Sequence, residues 1–121
     1  MRTLKIVILT KSTEKRELLF QYISKCYPNS RIFMEDPGAN MCKYTSTSQE
    51  PIDICFTEVL EADPYGLEIA ESFRDICPKT KIVFISDVKD FALKAWELGV
   101  KDYLLEPITI ESIQHTVVSC S

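Results

Sequence analysis

Residues Ile52-Asp53-Ile54-Cys55-Phe56-Thr57-Glu58 decide the fold. This short run, rich in apolar and β-prone residues, ends in a single acid. The loop Val59-Leu60-Glu61-Ala62-Asp63-Pro64-Tyr65-Gly66-Leu67-Glu68 follows it. Such a run suits a strand buried on both faces, with expected bounds Ile52 to Thr57. Beyond the loop, Ile69, Ala70, Phe73, Ile76 and Cys77 recur at helical spacing before Pro78 stops the pattern. The unit is therefore strand, loop, then a helix with one apolar stripe.

The same alternation extends both ways. Upstream, Leu4 and Ile6-Val7-Ile8-Leu9 form a strand, and Ser12-Thr13 offer helix caps. Leu18, Leu19, Tyr22, Ile23 and Cys26 follow at helical spacing until Tyr27-Pro28-Asn29. Arg31 to Met34 read as a short second strand. Asp36-Pro37-Gly38 signal a turn, and Thr45 to Ser48 are poor helix material, so only a short or irregular helix is expected around Ala39 to Tyr44.

Downstream, Ile82 to Ile85 form a fourth strand. Ser86-Asp87 are expected to cap a helix with Phe91, Ala92, Ala95 and Trp96 inward, closed by Gly99. Asp102 to Leu105 form the fifth strand. Thr109 caps a last helix carrying Ile110, Ile113, Val117 and Cys120 on one face. Strands alternating with helices imply right-handed crossovers and a parallel sheet covered on both sides. Five such units predict an α/β, flavodoxin-like, doubly wound sheet of order 2-1-3-4-5. Ligand sites in that order lie beyond the carboxyl ends of strands one and three, here Thr10-Lys11 and Glu58.

Composition bounds the function. At 121 residues the chain is one domain, 1–121, with room for one core. Eighteen acids against 14 bases give a net charge of -4, which argues against direct nucleic-acid binding or a membrane surface. The five cysteines, Cys26, Cys42, Cys55, Cys77 and Cys120, are odd in number and lack C-x-x-C pairing, so a reducing, cytoplasmic setting is expected. No apolar stretch approaches a membrane span and no signal peptide is evident.

The loop after Glu58, with Gly66-Leu67-Glu68 eight residues on, resembles the third strand and following loop of bacterial response-regulator receiver domains. The resemblance covers essentially the whole chain. It implies an acidic pair after strand one that holds Mg²⁺, a phospho-accepting aspartate after strand three, and a Ser or Thr after strand four. It also implies an aromatic residue on strand five and a lysine-proline step after it. The matching residues here are Thr10 and Lys11 for the acidic pair, Glu58 for the acceptor and Ser86 for the hydroxyl. Tyr103 matches the aromatic, and Glu106 before Pro107 matches the lysine step.

These substitutions remove the chemistry. Mg²⁺ favours octahedral oxygen ligation through carboxylates, whereas Thr10 offers a neutral hydroxyl and Lys11 a cation. Glutamate carries its carboxylate about 1.5 Å further than aspartate, and a shift of about 1 Å can cost about a hundredfold in rate. No lysine after strand five repairs that loss. Lys11 is expected to bridge Glu58, Glu106 or both, as the internal counter-charge that keeps two carboxylates ionised. Asp63 reads as a turn residue, His115 as solvent-exposed, and Tyr103 as a half-buried packing residue. Ser86 reads equally as a helix cap and as a vestigial switch hydroxyl.

The leading expectation is an atypical, degenerate pseudo-receiver: a phosphorylation-independent protein-interaction module in two-component signalling, not an enzyme, with no cofactor and no metal. Its expected partners are a sensor kinase or regulator, or an output domain in a longer protein. The resemblance places dimerisation or output contacts on the helix after strand four, strand five and the last helix, near Lys89, Ala92, Leu93, Tyr103, Ile110 and Gln114. One alternative is a conventional phosphorylated receiver of a transcriptional regulator, using Glu58 or Asp63. The other is a nucleotide or flavin binder using the loop from Thr10 to Glu14, which has hydroxyls but no glycine.

Overall fold

The computed structural model describes residues 3–35 and 52–119. Five strands, β1 (Lys5–Leu9), β2 (Arg31–Glu35), β3 (Ile54–Glu58), β4 (Lys81–Ser86) and β5 (Asp102–Leu105), form one sheet in the order β2-β1-β3-β4-β5. All four neighbouring pairs are parallel. Four helices accompany them among the described residues: α1 (Thr13–Cys26), α2 (Tyr65–Ile76), α3 (Ala92–Leu98) and α4 (Ile110–Ser119). This is the doubly wound architecture expected from the alternation. The short helix expected around Ala39 to Tyr44 lies outside the described residues.

Two core layers explain the apolar runs of the central strands, Ile6 to Leu9, Ile54 to Phe56 and Ile82 to Ile85. Val7, Leu9, Cys55 and Phe84 face one way, onto Ile69, Ala70 and Phe73 of α2 and Ala95 and Leu98 of α3. Ile6, Ile8, Ile54, Phe56, Val83 and Ile85 face the other, onto Leu19 and Ile23 of α1 and Ile113 of α4. With both faces covered, neither parity of a strand can be polar without cost. β3 is buried at all five positions.

Several boundaries and facings differ from expectation. β3 runs to Glu58, whose Cα pairs with Ile85, so the acid is the last residue of the strand. Residues 87–91 form a bend and a turn, and α3 begins only at Ala92. That late start changes the phase of the helix: Ala95 and Leu98 point inward, whereas Ala92 and Trp96 are exposed. Gly99 closes α3 in the left-handed conformation at φ 71°, as its position predicts. In α2, Ile76 falls off the stripe and is exposed, because Ile69, Ala70 and Phe73 already fill the face against the sheet.

Gly66 fixes how α2 meets the sheet. A Cβ built there would lie 2.2 Å from the backbone oxygen of Glu58 and 2.8 Å from Cγ2 of Val59. Only glycine lets the first turn of α2 approach the end of β3 this closely. The carboxyl end of β3 is thereby clamped between α2 and the neighbouring strands.

Candidate functional site: a charge network at the ends of β1, β3 and β5

The carboxyl ends of β1 and β3 are adjacent in the sheet, and Glu106 directly follows β5 two strands away. The β1–α1 connection is short and tightly organised. The Ser12 hydroxyl caps α1 by accepting the Lys15 N–H at 3.2 Å, and the Ser12 N–H donates to Thr10 Oγ1 at 3.2 Å. With Ser12 at the cap, Lys15 stands in the first turn of the helix, over the ends of the strands.

Glu58 is buried, and both of its carboxylate oxygens are engaged. The Thr10 hydroxyl donates to Oε1 at 2.9 Å, and Lys15 Nζ donates to Oε2 at 2.6 Å. The same ammonium lies 2.7 Å from Glu106 Oε1. One cation thus joins the start of α1 to the ends of β3 and β5. Burial disfavours the charge on Lys15, but the Glu106 and Glu58 carboxylates paired with it outweigh this, and its pKa is raised.

Here the structure corrects the expected pairing. Lys11 meets neither Glu58 nor Glu106; its Nζ pairs with Asp63 Oδ2 at 2.6 Å, at the surface. The β1–α1 turn directs Lys11 outward across the β3–α2 loop, while Lys15 reaches back over the strand ends. Asp63 is accordingly more than a turn residue. Its pKa is lowered, first by the hydrogen bond from Lys11 and next by the Tyr65 N–H. Lys15 is the site residue that pattern matching missed. The available signal was its place in the first helical turn, one turn beyond Lys11.

The remaining residues sit where the resemblance implies, with different duties. Ser86 is fully buried and accepts the Val88 N–H at 3.2 Å, while Asp87 accepts the Glu61 N–H at 3.1 Å. Ser86 thus organises the turn before α3 and Asp87 ties that turn to the β3–α2 loop, and neither caps the helix directly. The Tyr103 hydroxyl donates to the Val88 carbonyl at 2.5 Å, and its ring meets Phe84 edge-on at 6.1 Å. Tyr103 is half-buried, as expected. The Glu106 N–H donates to the Ser86 carbonyl at 2.8 Å, and the Glu106-Pro107 peptide is cis. His115 is exposed, with Nδ1 3.2 Å from Asp102 Oδ2. On the α3–β5–α4 face, Lys89, Ala92, Leu93 and Gln114 are exposed and Ile110 is half-buried.

A Mg²⁺ ion of the kind the resemblance implies does not fit these residues. Thr10 spends its hydroxyl on Glu58, Lys11 is committed to Asp63, and the Lys15 ammonium lies between the two remaining carboxylates. Among the described residues no group of three or more His, Cys, Asp or Glu is placed to hold a metal. Nor is any helix among them long and apolar enough to cross a membrane.

Known proteins were compared with the chain. No family model matches it. It is 31% identical over 68 residues to the sensory transduction protein LytR of Staphylococcus haemolyticus, covering 56% of this chain and 27% of that protein. The sensory transduction protein LytT of Bacillus subtilis is 35% identical over 69 residues, covering 57% of this chain and 28% of that protein. The matched stretch therefore spans under a third of these relatives' length. Among solved structures, a response regulator from Thermotoga maritima superposes with a TM-score of 0.79 at 19% identity, covering 98% of each chain. The response regulatory domain of protein mrkE from Klebsiella pneumoniae gives 0.80 at 22% identity, covering 97% of this chain and 94% of that one. The chain has the fold of response-regulator receiver domains.

Proposed function

We propose that this chain is a receiver-type domain of two-component signal transduction that works without phosphorylation, as a protein-interaction module in the cytoplasm and not as an enzyme. The receiver fold and the similarity to LytR and LytT sensory transduction proteins support the signalling class. The observation that carries the phosphorylation-independent part is the Lys15 ammonium, held at 2.6 Å from Glu58 and 2.7 Å from Glu106. An acceptor carboxylate must present a free oxygen to a phosphodonor, with a metal neutralising the transferring group. Glu58 instead has one oxygen on Thr10 and the other on Lys15.

The domain is then held in one state and regulated through its partners or its abundance. Glutamate supplies about one negative charge where a phosphate would supply about -1.5 to -2. Its partners are a sensor kinase, another regulator or an output domain. They dock on the face of α3, β5 and α4, where Leu93 and Trp96 are 69% and 80% exposed and so offer apolar area for burial. A Mg²⁺ titration followed by amide NMR tests the reading. No saturable shift is expected at Thr10, Glu58 and Ser86, and a saturable shift there defeats it.

A further inference from the structure

Beyond Glu58 the chain closes on itself. Leu60 and Asp63 form an isolated antiparallel bridge: the Asp63 N–H donates to the Leu60 carbonyl at 3.1 Å, and the Leu60 N–H to the Asp63 carbonyl at 3.4 Å. Residues 60–63 are therefore a closed turn with Glu61 and Ala62, both exposed, at its tip. Its base is fixed, since Val59 is fully buried and donates its N–H to the Ile85 carbonyl at 2.8 Å.

Two side chains from other loops reach this turn. Lys11, after β1, pairs with Asp63 at 2.6 Å, and Asp87, after β4, accepts the Glu61 N–H at 3.1 Å. β1 and β4 are the two neighbours of β3 in the sheet, so the turn is held from both sides of its own strand. The two holds differ in chemistry. An exposed ion pair is screened by salt, whereas a carboxylate on a backbone N–H is a charge-assisted hydrogen bond. The Asp87 hold is continuous with the turn before α3, where Ser86 fixes the Val88 N–H and Tyr103 its carbonyl.

We propose that residues 60–63 are a strap across the ends of β1, β3 and β4, which opens as one unit and is held shut by two pins, Lys11 and Asp87. Because opening breaks both pins together, releasing one adds to the effect of releasing the other. A partner that engages both sides of the strap at once opens it furthest. It would present an acid to Lys11 or a cation to Asp63, and a hydrogen-bond donor to Asp87. The inference goes beyond the signalling assignment and does not depend on whether Glu58 accepts a phosphoryl group.

The test is amide hydrogen exchange of the whole chain, followed by NMR, for the native protein, Lys11→Met, Asp87→Ala and the double variant. Each single variant should speed exchange at Leu60, Glu61 and Asp63 alike, by about two- to threefold. The deciding amides are those that the replaced side chain does not touch: Glu61 in Lys11→Met, and Leu60 and Asp63 in Asp87→Ala. The double variant should be faster by the product of the two, about four- to ninefold. Amides within β3, such as Phe56, should keep their native rates, which shows that the fold is intact. About 1 M NaCl should reproduce Lys11→Met in the native chain and add nothing to that variant. Asp87→Asn, which keeps an acceptor oxygen, should leave Leu60 and Asp63 at native rates. Effects confined to the amide beside each replaced side chain overturn the proposal, as does a double variant no faster than either single one.

Discussion

Two lysines one helical turn apart meet opposite fates. Lys11 lies outside the pocket, paired with Asp63 in water, with both side chains about half exposed at 56% and 41%. Lys15 lies across the pocket, with its side chain 33% exposed and its partner Glu58 only 6% exposed. Both make contacts of 2.6 Å, so distance alone does not separate them. What separates them is the cost of removal. An exposed pair is screened and rehydrates when broken, whereas breaking a pair on a buried carboxylate leaves a charge that the Thr10 hydroxyl satisfies only in part.

The largest expected effect concerns the strand end that carries Glu58. Gly66→Ala should destabilise by about 3 kcal/mol, because its Cβ would fall 2.2 Å from the Glu58 backbone oxygen. Urea unfolding measures this. A change within about 0.5 kcal/mol would mean that α2 does not clamp β3. Lys15→Met comes next, at about 2 kcal/mol, below the roughly 3–5 kcal/mol of a fully buried pair because Lys15 keeps some solvent. Thr10→Val follows at about 1.5 kcal/mol, since it removes the donor to Glu58 and the acceptor for Ser12 N–H. Lys11→Ala should cost no more than about 0.5 kcal/mol. If Lys11→Ala and Lys15→Met prove equal in the same urea series, the inside–outside distinction fails.

The pH dependence sharpens the same contrast. The folded-state pKa of Lys15 is raised above its ordinary value of 10.5, so its contribution is complete below that value. It is lost as pH rises through the folded value. Asp63 is opposite in sign: its folded pKa lies below 3.8, so its contribution is present above 3.8 and lost as pH falls through the folded value. Lys15→Met should therefore flatten the alkaline limb of stability against pH.

Most of the fold was legible in the sequence because burial on both faces leaves an unmistakable apolar run, as at Ile6 to Leu9 and Ile82 to Ile85. Glycine and cap positions were legible for the same local reasons, as Gly99 and Ser12 show. The facing of α3 was not, since seven residues give too little periodicity to set a phase, and Ala92 and Trp96 turn outward. At the candidate site, Thr10, Glu58, Ser86 and Glu106 could be named from the sequence because each sits at or just beyond the carboxyl end of a strand, and Tyr103 because it lies on β5. The counter-charge was misassigned because Lys11 occupies the matching position in the chain. Reach, not register, selects the partner: the cap at Ser12 swings the first turn of α1 over the strands and brings in Lys15.

The most direct test of a pocket closed by its own lysine is intact-protein mass spectrometry after incubation with acetyl phosphate and Mg²⁺. The native chain should keep its mass. Glu58→Asp should keep it too, since restoring the shorter acid leaves Thr10, Lys11, Lys15 and Glu106 in place. A labile gain of one phosphoryl group on the native chain, abolished by Glu58→Gln, would contradict the account and make Glu58 a working acceptor.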